Sequence, residues 1–372
     1  MPVSISQQYK LASYISNNKL KGEPKKIPLV LMLEPTFKTN LNIKVCGKTD
    51  YPDPVLSEYL SPEKCVYSAQ ECGAPIVSIA GGEPLLLDDM PETVDELVKK
   101  KKFVYLSTNG LLLPKNIFDY KPSNYFTFVV NLNGFKDEHD KISGQDGVFE
   151  NAIHAINLAK VKGFKITVNC TIYLHQRIKN IIEFFEFLTN ELKVDGINIT
   201  PGFPYERAKD QKNFLDRGNV IKFFRNVFKS KKFPKWNLNH TNLYLDFLAG
   251  NQSYFCTPWA TPTRNIFGWQ KPCYHLAEGY YKTFQELIEK TDWKKYGTGN
   301  YEKCINCMTH CGYEPTAIQD VFNYPLKSIF RKILGIKTTG PIVDEISSAG
   351  ARPSEDLHDK IVESKMYELD LM

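Results

Sequence analysis

Leu29-Val30-Leu31-Met32-Leu33, followed by Glu34 and Pro35, is a short apolar run closed by a proline, the pattern of a buried strand that ends abruptly. Downstream, Ser61-Pro62-Glu63 combines a capping serine, a proline at the first helical position and an acid in the first turn. That predicts a helix start, and Gly73 predicts its end. Further β-rich runs fall at 76–80, 103–106, 126–132, 166–172 and 196–200. Helical stretches fit between them, such as 148–162, where Ile153, Ile156 and Ala159 share a face ahead of Gly163. Strand–helix alternation at this spacing predicts βα units around a parallel sheet. Six strands are too few for a closed eight-stranded barrel. The count fits a doubly wound open sheet as well as a partial barrel, and periodicity leaves both open.

With 372 residues, 42% hydrophobic and 24% charged, the chain has the composition of a soluble globular protein with a sizeable core. A net charge of +5 is too mild to argue for nucleic acid. Charge is unevenly spread: residues 209–235 carry nine Lys or Arg against two Asp, which reads as a solvated basic face. Residues 342–372 carry eight Asp or Glu against three Lys or Arg, which reads as a loosely packed acidic tail. The first 22 residues are polar and the apolar run at 29–33 is far below the ~20 residues of a membrane span, so a cytoplasmic protein is expected. Nine cysteines in a reducing compartment argue against a disulfide framework, and five of them lie after residue 255. Cys65 and Cys72, seven apart on the predicted helix, read as structural.

The segment from Glu34 through Thr39, Ile43 and Cys46 to Pro54 is similar to the cluster loop of radical S-adenosylmethionine enzymes, whose signature is three cysteines spaced C-x3-C-x2-C. In that family three thiolates bind three irons of a [4Fe–4S] cluster and leave the fourth iron open for S-adenosylmethionine. Electron transfer into the sulfonium then releases a deoxyadenosyl radical, chemistry that belongs to the cofactor. The three positions here are Thr39, Ile43 and Cys46, so one thiolate remains. The turn Ala80-Gly81-Gly82-Glu83-Pro84-Leu85 corresponds to the family turn that meets the methionyl amino group of S-adenosylmethionine. Glycine there lets backbone approach a ligand closely, which makes Gly81, Gly82, Glu83 and Pro84 the candidate cofactor-binding residues.

Longer stretches, among them Cys46–Pro54, Glu71–Pro75, Ser78–Leu86, Asp246–Gln252, Phe267–Tyr274 and Tyr296–Cys304, resemble the adenosylhopane synthase family of hopanoid biosynthesis. The resemblance covers about four-fifths of the chain, residues 27–316. It implies an α/β fold, a partial six-stranded (β/α)6 TIM-like barrel with a cysteine-rich C-terminal extension. The implied reaction joins a deoxyadenosyl radical to a hopene double bond, with a polycyclic triterpenoid lipid as partner. At Ser107, in Leu106-Ser107-Thr108-Asn109-Gly110, the family carries a cysteine that gives a hydrogen atom to the product radical. A serine O–H bond is much stronger than a thiol S–H bond, so Ser107 is a poor donor whose plain role is to satisfy a strand end. No His–carboxylate or nucleophile–base pair sits in a recognisable motif elsewhere.

Cys304-Ile305-Asn306-Cys307 is a C-x2-C knuckle that points two sulfurs at one centre. With Cys256 and Cys273 it resembles the auxiliary-cluster extension that follows the barrel in many radical S-adenosylmethionine enzymes. Four such thiolates suit a [4Fe–4S] cluster or a tetrahedral zinc, and a metal-free pocket is the third reading. Cys311 and His310 are the replacement ligands nearby. Between 326 and 334, Leu326, Ile329, Phe330 and Ile333 share one helical face with Lys327, Arg331 and Lys332 off it. Such a helix either packs on the barrel or lies on an anionic membrane. The expected divisions are an N-terminal helical segment (1–26), the barrel (27–201), a completing segment (202–255), the cysteine extension (256–316), and the amphipathic helix with the tail (317–372).

Overall fold

The computed structural model describes residues 4–20, 26–43, 45–47, 50–205, 208–343, 351–354 and 357–370. Lys44 of the loop and 344–350 of the tail lie outside the described residues. Six strands run parallel where the alternation places them: β1 (Val30–Glu34), β2 (Ile76–Ile79), β3 (Phe103–Thr108), β4 (Phe126–Asn131), β5 (Lys165–Ile172) and β6 (Gly196–Pro201). Three more come from the cysteine-rich region, β7 (Thr263–Asn265), β8 (Gly268–Pro272) and β9 (Ala277–Tyr281). Strand β7 pairs parallel with β1, and β8 and β9 follow it antiparallel. The sheet order is β6-β5-β4-β3-β2-β1-β7-β8-β9, with β6 and β9 as unjoined edges. This open, curved sheet is a partial TIM-like barrel.

Strand side chains alternate between two unlike faces. Leu31, Leu33, Val77, Ile79, Val104, Leu106, Phe128, Val130, Ile166 and Val168 are buried in one core under the helices. Full burial of such a side chain contributes about 1.5–3 kcal/mol, so this outer layer carries the stability. The opposite, inner face is polar: Ser78 pairs in register with Tyr105, Tyr105 with Thr127, Asn131 with Asn169, and Asn169 with Asn198. The helix Ile5–Leu20 closes the amino end of this inner face, with Gln7 accepting from the Tyr105 hydroxyl at 2.9 Å.

The helix Pro62–Cys72 starts at Ser61 and ends at Gly73, which takes the left-handed φ of 73° that favours glycine. Cys65 and Cys72 are buried on it; the Cys65 thiol faces the Leu60 carbonyl and Cys72 accepts from Ala74 N–H. Both are structural, as their spacing predicts.

The later part of the chain holds more regular structure than the sequence pattern announces, and one expectation, the loose tail, needs correction. Residues 256–316 extend the sheet with β7–β9. Tyr281 ends β9 and the short helix begins at Phe284, running Phe284–Lys290 behind a Thr283–Glu286 capping box. The tail is not loose throughout: the helix His358–Asp370 lies against the helix Asp53–Ser57 and β9, with Val362 buried. Residues 202–255 supply two packed helices, Arg217–Phe228 and Asn242–Leu248, whose Phe224, Val227, Phe247 and Leu248 enter the main core.

A single carboxylate anchors the added hairpin. Glu71 accepts from the indole N–H of fully buried Trp269 at 2.9 Å and from Phe284 N–H at 2.8 Å. Glu71→Ala leaves both donors unpaired and is expected to cost roughly 2–4 kcal/mol. Urea unfolding of the variant measures it, and an unchanged midpoint contradicts the anchoring role.

Candidate functional site

The carboxyl ends of β1, β2 and β3 are bound to one another through backbone. Ala80 N–H donates to Leu33 carbonyl, Gly82 N–H to Thr36 carbonyl and Glu83 N–H to Lys38 carbonyl, each at 2.8 Å. The glycines are dictated by that contact. A Cβ on Gly82 would stand 2.0 Å from the Lys38 carbonyl oxygen, and one on Gly81, where φ is 105°, would stand 2.3 Å from that of Thr36. The approach these glycines allow here is that of the loop leaving β1.

Glu83 extends the same clasp to β3. One carboxylate oxygen accepts from Leu85 N–H at 3.1 Å and the other from Asn109 N–H at 2.8 Å. The Asn109 side chain then donates to Asn40 at 2.7 Å, holding the loop from its far side. Burial pushes the Glu83 carboxyl up to about 7, against the pull of its backbone donors.

The three cluster-loop positions do come together. Thr39, Ile43 and Cys46 line a cavity of about 410 Å³ with Lys38, Asp50, Asp53 and Lys209. Gly81 to Pro84 are not among its walls. The Thr39 hydroxyl accepts from Leu41 N–H at 3.2 Å, and Ile43 packs with Val45, Ile142 and Tyr173. Cys46 lies within electrostatic reach of the phenols of Tyr173, Tyr205 and Tyr274. One thiol, a hydroxyl engaged in its own turn and an aliphatic side chain do not fit a cluster that needs three thiolates.

Ser107 sits on the inner face of β3, half-buried and in register with Val129. Beside it a network that residue types alone do not reveal crosses β4–β6. Asn169 donates to Asn131 at 3.2 Å, and Asn239 donates to Asn198 at 3.0 Å and to Thr167 at 3.4 Å. Asn133, just past β4, accepts from Thr171 N–H at 2.9 Å. The only sequence signal was period-two alternation of polar residues on strands already assigned.

The C-terminal cysteines gather from two loops (Cys256 and Cys273), the knuckle of Cys304 and Cys307 at the end of the short helix Glu302–Cys304, and the helix His310–Asn323 with Cys311. Half-buried Cys256 is in electrostatic contact with Cys307, Cys273, Cys304 and Cys311, and desolvation of its sulfur together with these thiols raises it well above the ordinary value. A Cβ at Gly312 would stand 2.5 Å from the Cys256 sulfur, which would then have to turn aside. Among the described residues no three Cys, His, Asp or Glu side chains are arranged to hold a metal ion. In donor chemistry the set fits a thiolate-bound cluster or ion. Thr309 Oγ1 shares hydrogen bonds with the sulfurs of Cys307 and Cys311, each at 3.3 Å, and with His275 Nε2 at 2.9 Å. His275 Nδ1 bonds Tyr205 Oη at 3.0 Å, so one chain of polar contacts joins these cysteines to the phenol beside Cys46. His310 is turned elsewhere, its ring 5.9 Å from that of His240.

A buried His–carboxylate pair exists after all. His240 Nε2 accepts from Ile199 N–H at 2.9 Å, so Nδ1 carries the proton and donates to Glu314 at 2.8 Å. Glu314 also accepts from Thr241 N–H at 2.8 Å. The pair ties β6 to the two helices behind it. Its members are 74 residues apart, so no local motif announces it.

The Radical SAM superfamily model matches residues 44–188, and the Domain of unknown function (DUF3463) matches 197–331. Similar solved structures include Streptococcus suis SuiB bound to S-adenosylmethionine, with a TM-score of 0.60 and 18% identity over 80% of this chain and 74% of that one. The chain of anSMEcpe with bound AdoMet has a TM-score of 0.54 at 18% identity, covering 83% of this chain and 96% of that one. The solved structures share this fold, and the match over residues 44–188 supports a radical SAM superfamily unit in that part of the chain; the superfamily's cofactors are S-adenosylmethionine and a [4Fe–4S] cluster. A probable GTP 3',8-cyclase of Methanococcus maripaludis is 26% identical over 261 residues, 65% of this chain and 82% of that protein. The AdoMet-dependent heme synthase of Methanosarcina barkeri is 25% identical over 211 residues, 55% of this chain and 60% of that protein. The Fe-coproporphyrin III synthase of the same organism is 28% identical over 120 residues, 32% of this chain and 30% of its own length. These names differ from adenosylhopane synthase, and the superfamily is what the two resemblances share.

Glu83 makes the clasp pH-sensitive. Its folded value of about 7 lies above the ordinary 4.5, so its contribution is fully present below about pH 4.5 and is lost as pH rises toward 7. Relative to Glu83→Gln, which cannot ionise, the wild type is expected to lose on the order of 3 kcal/mol across that window. Thermal melts of both proteins at pH 5 and pH 8 measure it; parallel shifts contradict the assignment.

Proposed function

We propose that this protein binds S-adenosylmethionine at the carboxyl edge of β1–β3 and takes a hopene-like polycyclic triterpenoid as its second ligand. The reaction that the adenosylhopane synthase resemblance implies joins a 5'-deoxyadenosyl group to an alkene and releases methionine; it consumes one electron and one hydrogen atom, which an external reductant and an external hydrogen donor have to supply, since Thr39, Ile43 and Ser107 replace the family's cysteines. The observation that carries this reading is the intact clasp of Gly81, Gly82 and Glu83 on the loop from β1, which preserves the turn the superfamily uses for S-adenosylmethionine. The polar inner face of β4–β6 supports it by offering amide and hydroxyl groups to a polar ligand. S-adenosylmethionine supplies the deoxyadenosyl group. The chain's part is to bind and orient it with Gly81, Gly82, Glu83 and Pro84, and to present Ser107 from the inner face of β3. No step is assigned to a cluster in the loop, because Thr39, Ile43 and Cys46 offer one thiol. Cys256, Cys273, Cys304 and Cys307 are the residues to hold an auxiliary [4Fe–4S] cluster or a zinc ion.

A second reading, ligand binding without radical chemistry, is favoured by one observation: Ile43 is built into an apolar cluster and Thr39 into its own turn. Anaerobic purification with iron and sulfide analysis, S-adenosylmethionine equilibrium dialysis and assay of 5'-deoxyadenosine release separate the two. The wild type is expected to bind S-adenosylmethionine and to carry roughly four irons that are lost in a Cys304→Ala/Cys307→Ala variant. Thr39→Cys/Ile43→Cys is expected to gain about four further irons and to release 5'-deoxyadenosine under reduction. Release by the wild type supports the transfer reaction, and binding without release supports the second reading. Iron that survives loss of Cys304 and Cys307 but disappears with Cys46→Ser shows that the loop holds a cluster unaided. Failure to bind S-adenosylmethionine overturns both readings.

A further inference from the structure

The helix Pro325–Leu334 is mounted with its apolar side outward. Its half-buried residues are polar, Ser328 and Arg331. Arg331 Nε lies 3.0 Å from Asp246, whose carboxylate is wholly buried, and Lys327 Nζ lies 3.1 Å from Asp320. Ion pairs therefore fasten this helix to the body. Leu326, Ile329, Phe330, Ile333 and Leu334 are 69%, 52%, 59%, 73% and 75% exposed. At one residue per ~100° they share an arc of about 140°. A helix docked on its own protein buries such a stripe, so this face is made to meet something else.

We propose that the outward face of this helix docks on an anionic lipid bilayer. Charge argues for that occupant: Lys327 and Arg331 are neutralised by Asp320 and Asp246, but Lys332 and Lys337 remain exposed beside the stripe, and from Val321 to Val343 there is no acidic residue. A basic rim around an apolar stripe is complementary to anionic headgroups over acyl chains. Tyr324, 60% exposed at the head of the helix, suits the boundary between water and lipid. A second copy of the chain fits poorly, because a two-fold contact would set the same basic rim against itself. The acidic C-terminal helix His358–Asp370 does not cover the face, since it lies against Asp53–Ser57 and β9. None of this depends on the ligands assigned above.

The test is flotation of the full chain with vesicles of phosphatidylcholine alone and of phosphatidylcholine with phosphatidylglycerol. At low salt the fraction recovered with the anionic vesicles is expected to be at least about tenfold larger. Phe330→Glu/Ile333→Glu, at exposed positions, is expected to abolish recovery, and Lys332→Glu/Lys337→Glu to reduce it, with thermal melts unchanged. Equal recovery with both vesicles, no recovery with either, or recovery unaffected by both variants overturns the proposal. So does a dimer seen by sedimentation of the wild type and lost in Phe330→Glu/Ile333→Glu, because the occupant is then a second copy.

Discussion

The contact on which the rest of the molecule depends is the backbone seam between the exit of β1 and the turn after β2. Three hydrogen bonds cross it at 2.8 Å, and the chains approach so closely that only glycine fits at 81 and 82. Glu83, at 1% exposure, continues the seam to β3 through Asn109, and Asn109 returns to the loop through Asn40. The loop at 36–40 is thus held by two strands besides its own. This positions Thr39 and Cys46 at the carboxyl edge whatever chemistry their side chains support, which is how a scaffold survives the loss of two thiols.

The two cysteine regions differ in kind. At the loop, the positions that would ligate iron have become a self-bonded hydroxyl and a packed aliphatic side chain. At the extension, five thiols, four of them half-buried and Cys311 buried, share one neighbourhood. Desolvation raises the Cys256, Cys304 and Cys307 thiols, so without a metal they pack there as neutral, weakly polar groups. The Tyr205–His275–Thr309 bridge gives the two regions a shared polar connection across the mouth of the barrel.

Carboxylates do two kinds of work in this chain. Buried Glu83 and half-buried Glu71 and Glu314 each accept from backbone N–H groups and join separate elements. Asp246 and Asp320 instead hold basic side chains of the helix Pro325–Leu334 and turn its apolar stripe to the outside. Anchoring by ion pairs is weaker than anchoring by apolar burial, so this arrangement favours exposure of the stripe over tight seating of the helix.

Strand–helix alternation, the Ser61-Pro62-Glu63 start, the Gly73 stop and the six parallel strands were legible because they rest on local propensity and side-chain period. So was the loss of two thiols, since ligand chemistry is a property of residue type. Whether the six strands make a doubly wound sheet or a partial barrel was not legible from their period, which says nothing of curvature; only the family resemblance implied the barrel. Nor were β7–β9, three short strands whose partners lie far away in sequence and whose Pro and Gly content reads locally as loop. Tertiary structure alone decided that Gly81 and Gly82 answer to a carbonyl of the neighbouring loop. It alone paired His240 with Glu314 and faced the 326–334 stripe outward. A hydrophobic period shows that a helix has two sides, but only the groups packed against it decide which one meets the protein.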